Sequence, residues 1–259
     1  MPKPPNWHNE DGFEFALFPA KNGKAESLIV MLHGHGSNTD NWAEAAKQLH
    51  EQIPGADIIT LQGPIKLPKG LEPGADGYTW LPYEGPKLKQ LKHSLSLVFN
   101  HLPIIDKVNS FLDKQLEKRG LTEKELGIFG SSMGGIVALQ TTLFRKKPVA
   151  GVVSHSGALL PFTKVRCEPA PDICLIMGGK DEVFCKPEEP KKGLKKIFNA
   201  VSKRLAIQHL DTLRRLRKKK IAFTEKFYPD LKHDSNPATV AEAGDFLDKA
   251  LKKAKKPKP

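Results

Sequence analysis

The feature that most constrains this chain is the run Leu126-Gly127-Ile128-Phe129-Gly130-Ser131-Ser132-Met133-Gly134-Gly135, where an apolar, strand-like stretch meets a glycine-spaced serine and continues into an apolar segment of helical length. A serine carried on so tight a strand-to-helix turn projects its oxygen above the sheet. The turn leaves no room for side chains two residues before or two after it, and Gly130 and Gly134 occupy those places. Ser131 has Phe129 and Met133 at the equivalent positions, so Ser132 is the candidate nucleophile. Without the preceding strand the same letters would describe a glycine-rich turn whose serines cap a helix, and it is the strand-turn-helix context that favours chemistry.

A serine hydroxyl needs a base to take its proton and a third group to hold that base in the right tautomer. On a parallel sheet these partners follow in the order serine, acid, histidine, each beyond a later strand. Residues 173–177 read as such a strand and lead through Gly178-Gly179-Lys180 to Asp181, while residues 221–227 read as another and lead to His233. Asp181 is therefore the expected acid, ahead of Glu182 and Asp230, and His233 the expected base. The tetrahedral oxyanion needs donors, commonly the amide after the nucleophile and one from an early loop. The loop His33-Gly34-His35-Gly36 follows an apolar strand at residues 28–32, so the backbone N–H groups of His35 and Met133 are assigned to the hole. The side chains of His33, His35 and His155 are expected to be structural. Trp80, Leu81 and Tyr83, in a Gly- and Pro-rich loop over residues 62–86, are candidates for an apolar substrate-binding wall, with ordinary loop packing as the alternative.

Continuous apolar runs such as 28–32 and 149–153 are typical of strands buried on both faces. They alternate with helical patterns at residues 39–50, 101–118, 134–144 and 237–253, the last opened by Asn236 and Pro237. This rhythm predicts an α/β fold with a mostly parallel central sheet and helices on both faces. It is read as one domain over residues 1–251 with a basic helical insertion at about 187–206, followed by a flexible Lys/Pro-rich tail at 252–259.

The net charge of +12 is unevenly placed: residues 191–220 and 252–259 together carry +16, which leaves the remainder at −4. An enzyme-like body thus bears cationic segments. Leu194, Ile197, Phe198, Val201, Leu205, Leu210, Leu213 and Leu216 recur among them at helical spacing. Such a helix either packs its leucines on the sheet or meets anionic lipid headgroups; nucleic acid ranks below both, since no recognition motif accompanies the charge. Cys167, Cys174 and Cys185 form no metal-ligand spacing, so no zinc site and no disulfide framework are expected. The N-terminal residues lack the apolar core of a secretory signal, which gives a cytoplasmic expectation with peripheral membrane contact as its extension.

With these residues in hand, the chain resembles the phospholipase/carboxylesterase family of α/β-hydrolases, the branch that includes acyl-protein thioesterases. The resemblance spans roughly residues 28–251 and rests on His33 to Gly36, the Trp80 region, Gly130 to Gly135, Asp181 and His233. It implies a serine carboxylesterase or thioesterase acting on acyl esters, lysophospholipids or acyl-protein thioesters with no cofactor and no metal. Two departures stand out: Met133 occupies a position that is often Gln, and the interval from Asp181 to His233 is long. The rival readings are a hydrolase for another ester, such as a dienelactone or sugar ester, and a catalytically inactive binding module acting through its basic segments.

Overall fold

A computed structural model describes residues 7–69, 77–81, 102–161, 163–185 and 208–256. Its centre is an eight-stranded sheet in the order β1 (Trp7–Glu10), β2 (Phe13–Phe18), β4 (Ala56–Leu61), β3 (Ser27–Leu32), β7 (Leu126–Ser131), β8 (Gly151–His155), β9 (Asp172–Gly178) and β10 (Thr224–Tyr228). All neighbours from β4 to β10 are parallel, and β2 alone runs against the rest, pairing antiparallel with both β1 and β4. The two-residue strands β5 (Ile65–Lys66) and β6 (Tyr78–Thr79) pair separately. The expected α/β-hydrolase architecture is the one observed.

The sequence dictates why this sheet is buried on both faces. Leu28, Val30 and Leu32 of β3 enter one core cluster while Ile29 and Met31 enter the other, the period-two alternation of a strand with apolar residues on both sides. The first cluster is closed by α2 (Leu102–Arg119), α3 (Met133–Phe144) and α4 (His209–Lys218), and the second by α1 (Ala43–Gln52) and α5 (Pro237–Lys255). Eleven of the twelve residues of α3 are buried, as suits a helix apolar on every face, and its polar Gln140 is satisfied by the Thr163 hydroxyl at 2.8 Å.

One helix start is settled between two candidate caps, and two boundaries differ from expectation, each for a physical reason. The first helical turn, Asp40–Trp42, is opened by Asn38, whose side chain accepts from the Asn41 amide, because the Thr39 hydroxyl is drawn inward to Gln62. The strand expected at 221–227 begins only at Thr224, since the Lys219 and Ile221 amides still close the end of α4. The last helix continues to Lys255, into the segment read as a tail, where Lys253 reaches Asp172 of β9. The insertion expected at about 187–206 lies outside the described residues, as does Tyr83.

Among the described residues no helix is long and apolar enough to cross a membrane, and no group of three or more His, Cys, Asp or Glu side chains could hold a metal ion.

Candidate active site

Ser132 sits where β7 becomes α3, with φ 51° and ψ −119°. This backbone is costly for a residue with a side chain and persists only where the surroundings enforce it. They do so by contact. A Cβ on Gly130 would fall 2.2 Å from the Gly134 oxygen, and one on Gly134 would fall 2.0 Å from the Leu32 oxygen. The Ser132 amide donates to the His155 carbonyl at 2.8 Å, and its carbonyl accepts from Ile136, so the peptide groups on both sides of the serine are tied down.

Asp181 follows β9 and is 1% exposed. Its Oδ1 accepts the Val183 and Phe184 amides, each at 2.9 Å, and its Oδ2 accepts from His233 Nδ1 at 2.9 Å. Burial alone would raise its pKa, but the His233 hydrogen bond and the two amides outweigh it and hold the carboxyl below its ordinary value. His233 Nε2 lies 2.9 Å from Ser132 Oγ. An ionised carboxylate can only accept, so Nδ1 carries the proton and Nε2 is left to accept from the serine hydroxyl. Phe184 packs beside the His233 ring. The acid and histidine loops are also joined by their backbones, through Gly179 N–H to Tyr228 O at 2.8 Å and Lys180 N–H to Leu231 O at 3.0 Å. The rival carboxylates face elsewhere: Asp230 pairs with Lys180 and Glu182 is exposed.

The His33–Gly36 loop lies against the serine, since a Cβ on Gly34 would be 3.3 Å from that of Ser132. His33 holds the loop from beneath. Its Nε2 accepts the Gly63 amide at 2.8 Å, so its Nδ1 donates to the Gly34 oxygen at 2.7 Å, and burial depresses its pKa to about 4, which keeps it neutral. Because a trans peptide places C=O and N–H on opposite sides, a Gly34 carbonyl held by His33 turns the His35 amide the other way. Met133 is the first residue of α3, so its amide has no carbonyl one turn back to bind.

Trp80 and Leu81 are buried in the core. The Trp80 indole N–H donates to the His33 oxygen at 2.8 Å and its ring lies on the His33 ring, so Trp80 packs beneath the loop. His155 is also buried, with both ring nitrogens unpartnered; burial first and the nearby His233 second bring its pKa to about 4. Two features here left no mark in the sequence. One is the His155 carbonyl on the Ser132 amide. The other is Thr79, whose hydroxyl lies 3.0 Å from His35 Nδ1 and 3.2 Å from Met133 Sδ.

A family model described as phospholipase/carboxylesterase matches residues 16–213, a span that includes Ser132 and Asp181 and stops short of His233. Two curated relatives are uncharacterized hydrolases. One, from Mycosarcoma maydis, is 26% identical over 167 residues, 63% of this chain and 61% of that one; the other, from Schizosaccharomyces pombe, is 25% identical over 141 residues, 52% and 55%. The chain thus spans less than two thirds of the length of either. Among solved structures, esterase PE8 superposes with a TM-score of 0.71 at 21% identity, over 90% of this chain and 97% of that one. A carboxylesterase from Mesorhizobium loti gives 0.61 at 16% over 94% and 98%, and Arabidopsis thaliana SOBER1 gives 0.59 at 20% over 87% and 99%. At these identities the structural likenesses speak for the fold.

Proposed function

The chain belongs to the phospholipase/carboxylesterase family of α/β-hydrolases, and from that premise we propose that it is a serine esterase or thioesterase in which Ser132, His233 and Asp181 form the catalytic triad. The observation that carries this reading is the unbroken hydrogen-bonded chain from Ser132 Oγ through the His233 ring to Asp181 Oδ2, with both links at 2.9 Å. Ser132 Oγ attacks the acyl carbonyl as His233 Nε2 takes its proton, and Asp181 stabilises the imidazolium that forms. The oxyanion is received by the amides of His35 and Met133. The same His233 proton then goes to the leaving alcohol or thiol, and a water activated by His233 releases the acid and restores the serine.

The substrate class is an acyl ester, with lysophospholipid and acyl-protein thioester as the natural forms suggested by the family resemblance. With Trp80 packed against His33 and Leu81 buried in the core, the substrate wall of this reading is left to Tyr83, which lies outside the described residues. The outer surface of α4 adds a partner. Leu210 is 62% exposed and shares the solvent-facing side of α4 with Arg214, Arg217 and Lys218, a combination suited to an anionic bilayer surface. Retention on anionic vesicles at low salt supports that contact, and equal behaviour with neutral vesicles removes it.

The decisive experiment is hydrolysis of a p-nitrophenyl ester series from acetate to palmitate by wild type and Ser132→Ala, with fluorophosphonate labelling in parallel. Activity and labelling that both vanish in the mutant support the nucleophile, and the chain-length optimum sizes the pocket. Labelling without turnover keeps the machinery and changes the substrate. Neither in the wild type favours the inactive binding module.

A further inference from the structure

Residues 77–81 form a strap across the loop assigned to the oxyanion. The Gly36 amide donates to the Tyr78 oxygen at 3.0 Å and the Tyr78 amide to the Ser37 oxygen at 2.8 Å. A Cβ on Gly77 would lie 2.2 Å from the Ser37 oxygen, so strap and loop are in backbone contact. Thr79, in the middle of the strap, is fully buried. Its hydroxyl faces the His35 ring on one side and the Met133 thioether on the other, at 3.0 and 3.2 Å, with the Leu81 oxygen farther off at 3.4 Å.

We propose that Thr79 is a positioning residue, whose hydroxyl joins His35 to Met133 and so fixes the separation of the two amides that receive the oxyanion. The proposal rests on the oxyanion assignment above. A hydroxyl has one proton to give and lone pairs to accept with. In the Nδ1-protonated tautomer of His35 that the proposal requires, Nδ1 donates to Thr79 Oγ1 and the Thr79 proton goes to Met133 Sδ, as a relay. A thioether is a weak acceptor, but at 3.2 Å it lies closer to the hydroxyl than the Leu81 carbonyl at 3.4 Å, and a buried hydroxyl left without an acceptor is costly. His35 follows β3 and Met133 opens α3, so the hydroxyl ties together side chains whose backbones belong to different elements. The thioether at position 133 thus reaches sideways to the strap and anchors the start of α3 to it.

The test compares wild type with Thr79→Val, Thr79→Ser, Met133→Leu and the Thr79→Val/Met133→Leu double variant, by kcat and KM on the best p-nitrophenyl ester and by the rate of fluorophosphonate labelling. Thr79→Val keeps the shape and removes the relay. Its kcat and labelling rate fall by about tenfold with KM within about twofold, short of the hundred- to thousand-fold cost of deleting a direct oxyanion donor. Thr79→Ser recovers most of the loss, Met133→Leu shows a similar loss, and the double variant is no worse than the poorer single. A trifluoromethyl ketone, whose adduct with Ser132 places an oxyanion in the hole, weakens in proportion to the loss in kcat/KM. Full kcat in Thr79→Val beside an inactive Ser132→Ala overturns the proposal alone, as do losses that multiply in the double variant. An active Ser132→Ala overturns the reading beneath it as well. Should Thr79→Val fail to fold, wild-type kcat in Met133→Leu is sufficient to overturn the proposal.

Discussion

The two sides of the site share close backbone packing and differ in backbone strain: Ser132 has φ 51°, whereas neither Asp181 nor His233 has a positive φ. On the serine side, where β3, β7 and β8 end in the middle of the sheet, position is set by exclusion: backbone lies against backbone, with Gly130 and Gly134 at distances no Cβ could share. On the acid and histidine side, where β9 and β10 end towards the margin, a Cβ on Gly178 would likewise fall 2.2 Å from the Leu231 oxygen, and hydrogen bonds join the two loops as well. Ser132 and His233 are both half-buried and Asp181 is 1% exposed, while the large apolar Val183 and Phe227 lie open on the acid and histidine side, Val183 two residues from Asp181 and Phe227 on β10. The difference fits a proposed nucleophile whose strained backbone is walled in, beside a proposed base whose ring has directional partners and room for substrate and water.

Substitutions can break or sharpen this contrast. The largest effect is expected from Asp181→Asn. The amide oxygen can still accept the Val183 and Phe184 amides, so the loop folds, but the His233 tautomer is lost and kcat drops by about ten-thousandfold with little change in melting temperature. A melting temperature that collapses instead would show that the ionised carboxylate is needed to hold the loop. Next comes Gly134→Ala, whose new methyl meets the Leu32 oxygen at 2.0 Å; stability falls by more than about 4 kcal/mol, or soluble protein is lost, as read by thermal unfolding and yield. An alanine variant that folds normally would refute the idea of a wall.

A smaller effect concerns acid. His33 and His155 have folded pKa values of about 4, below the ordinary value of 6.5, so in that window the unfolded chain binds more protons than the folded one. Stability is therefore full above about 6.5 and declines as pH falls towards 4, whereas the contribution of Asp181 is lost only further into acid, as its lowered pKa is approached. Because the His155 ring makes no hydrogen bond, His155→Leu should flatten this decline, with a higher melting temperature than wild type at pH 5 and little difference at pH 8. An unchanged slope would mean that the ring does not titrate with folding. The smallest effect is expected at the margin: Phe227→Ser or Leu210→Gln should leave stability within about 0.5 kcal/mol and kcat on a soluble ester within about twofold.

The elements that sequence reading recovered are those whose physics is local. Alternation of Leu28 to Leu32 between two cores announces a doubly buried strand, Asn236 and Pro237 announce a helix start, and Gly130 and Gly134 announce an elbow because their necessity is steric and close by in the chain. Asp181 and His233 were legible from topology, each lying just past a strand. Thr79 was not, because a hydroxyl between the side chains of His35 and Met133 is a long-range coincidence with no period or motif. Trp80 was open to two readings for a related reason: an aromatic residue in a Gly- and Pro-rich loop fits a ligand wall or ordinary packing, and the bond from its indole N–H to the His33 carbonyl favours packing. β1 went unread because Trp7–Glu10 is a half-exposed, four-residue strand with no apolar run.

The direct pairing of β3 with β7, with Leu32 opposite Gly130, has a consequence for how such a protein can change over evolutionary time. The spacing of the two strand ends from which the proposed donor loops start is one interstrand distance, about 4.8 Å, and is indifferent to the length of chain that separates them in the sequence. Connections that leave this sheet and return to it can therefore be lengthened, shortened or exchanged while the reacting groups stay in register. Selection for a new acyl group can act on the loops without having to rediscover the chemistry.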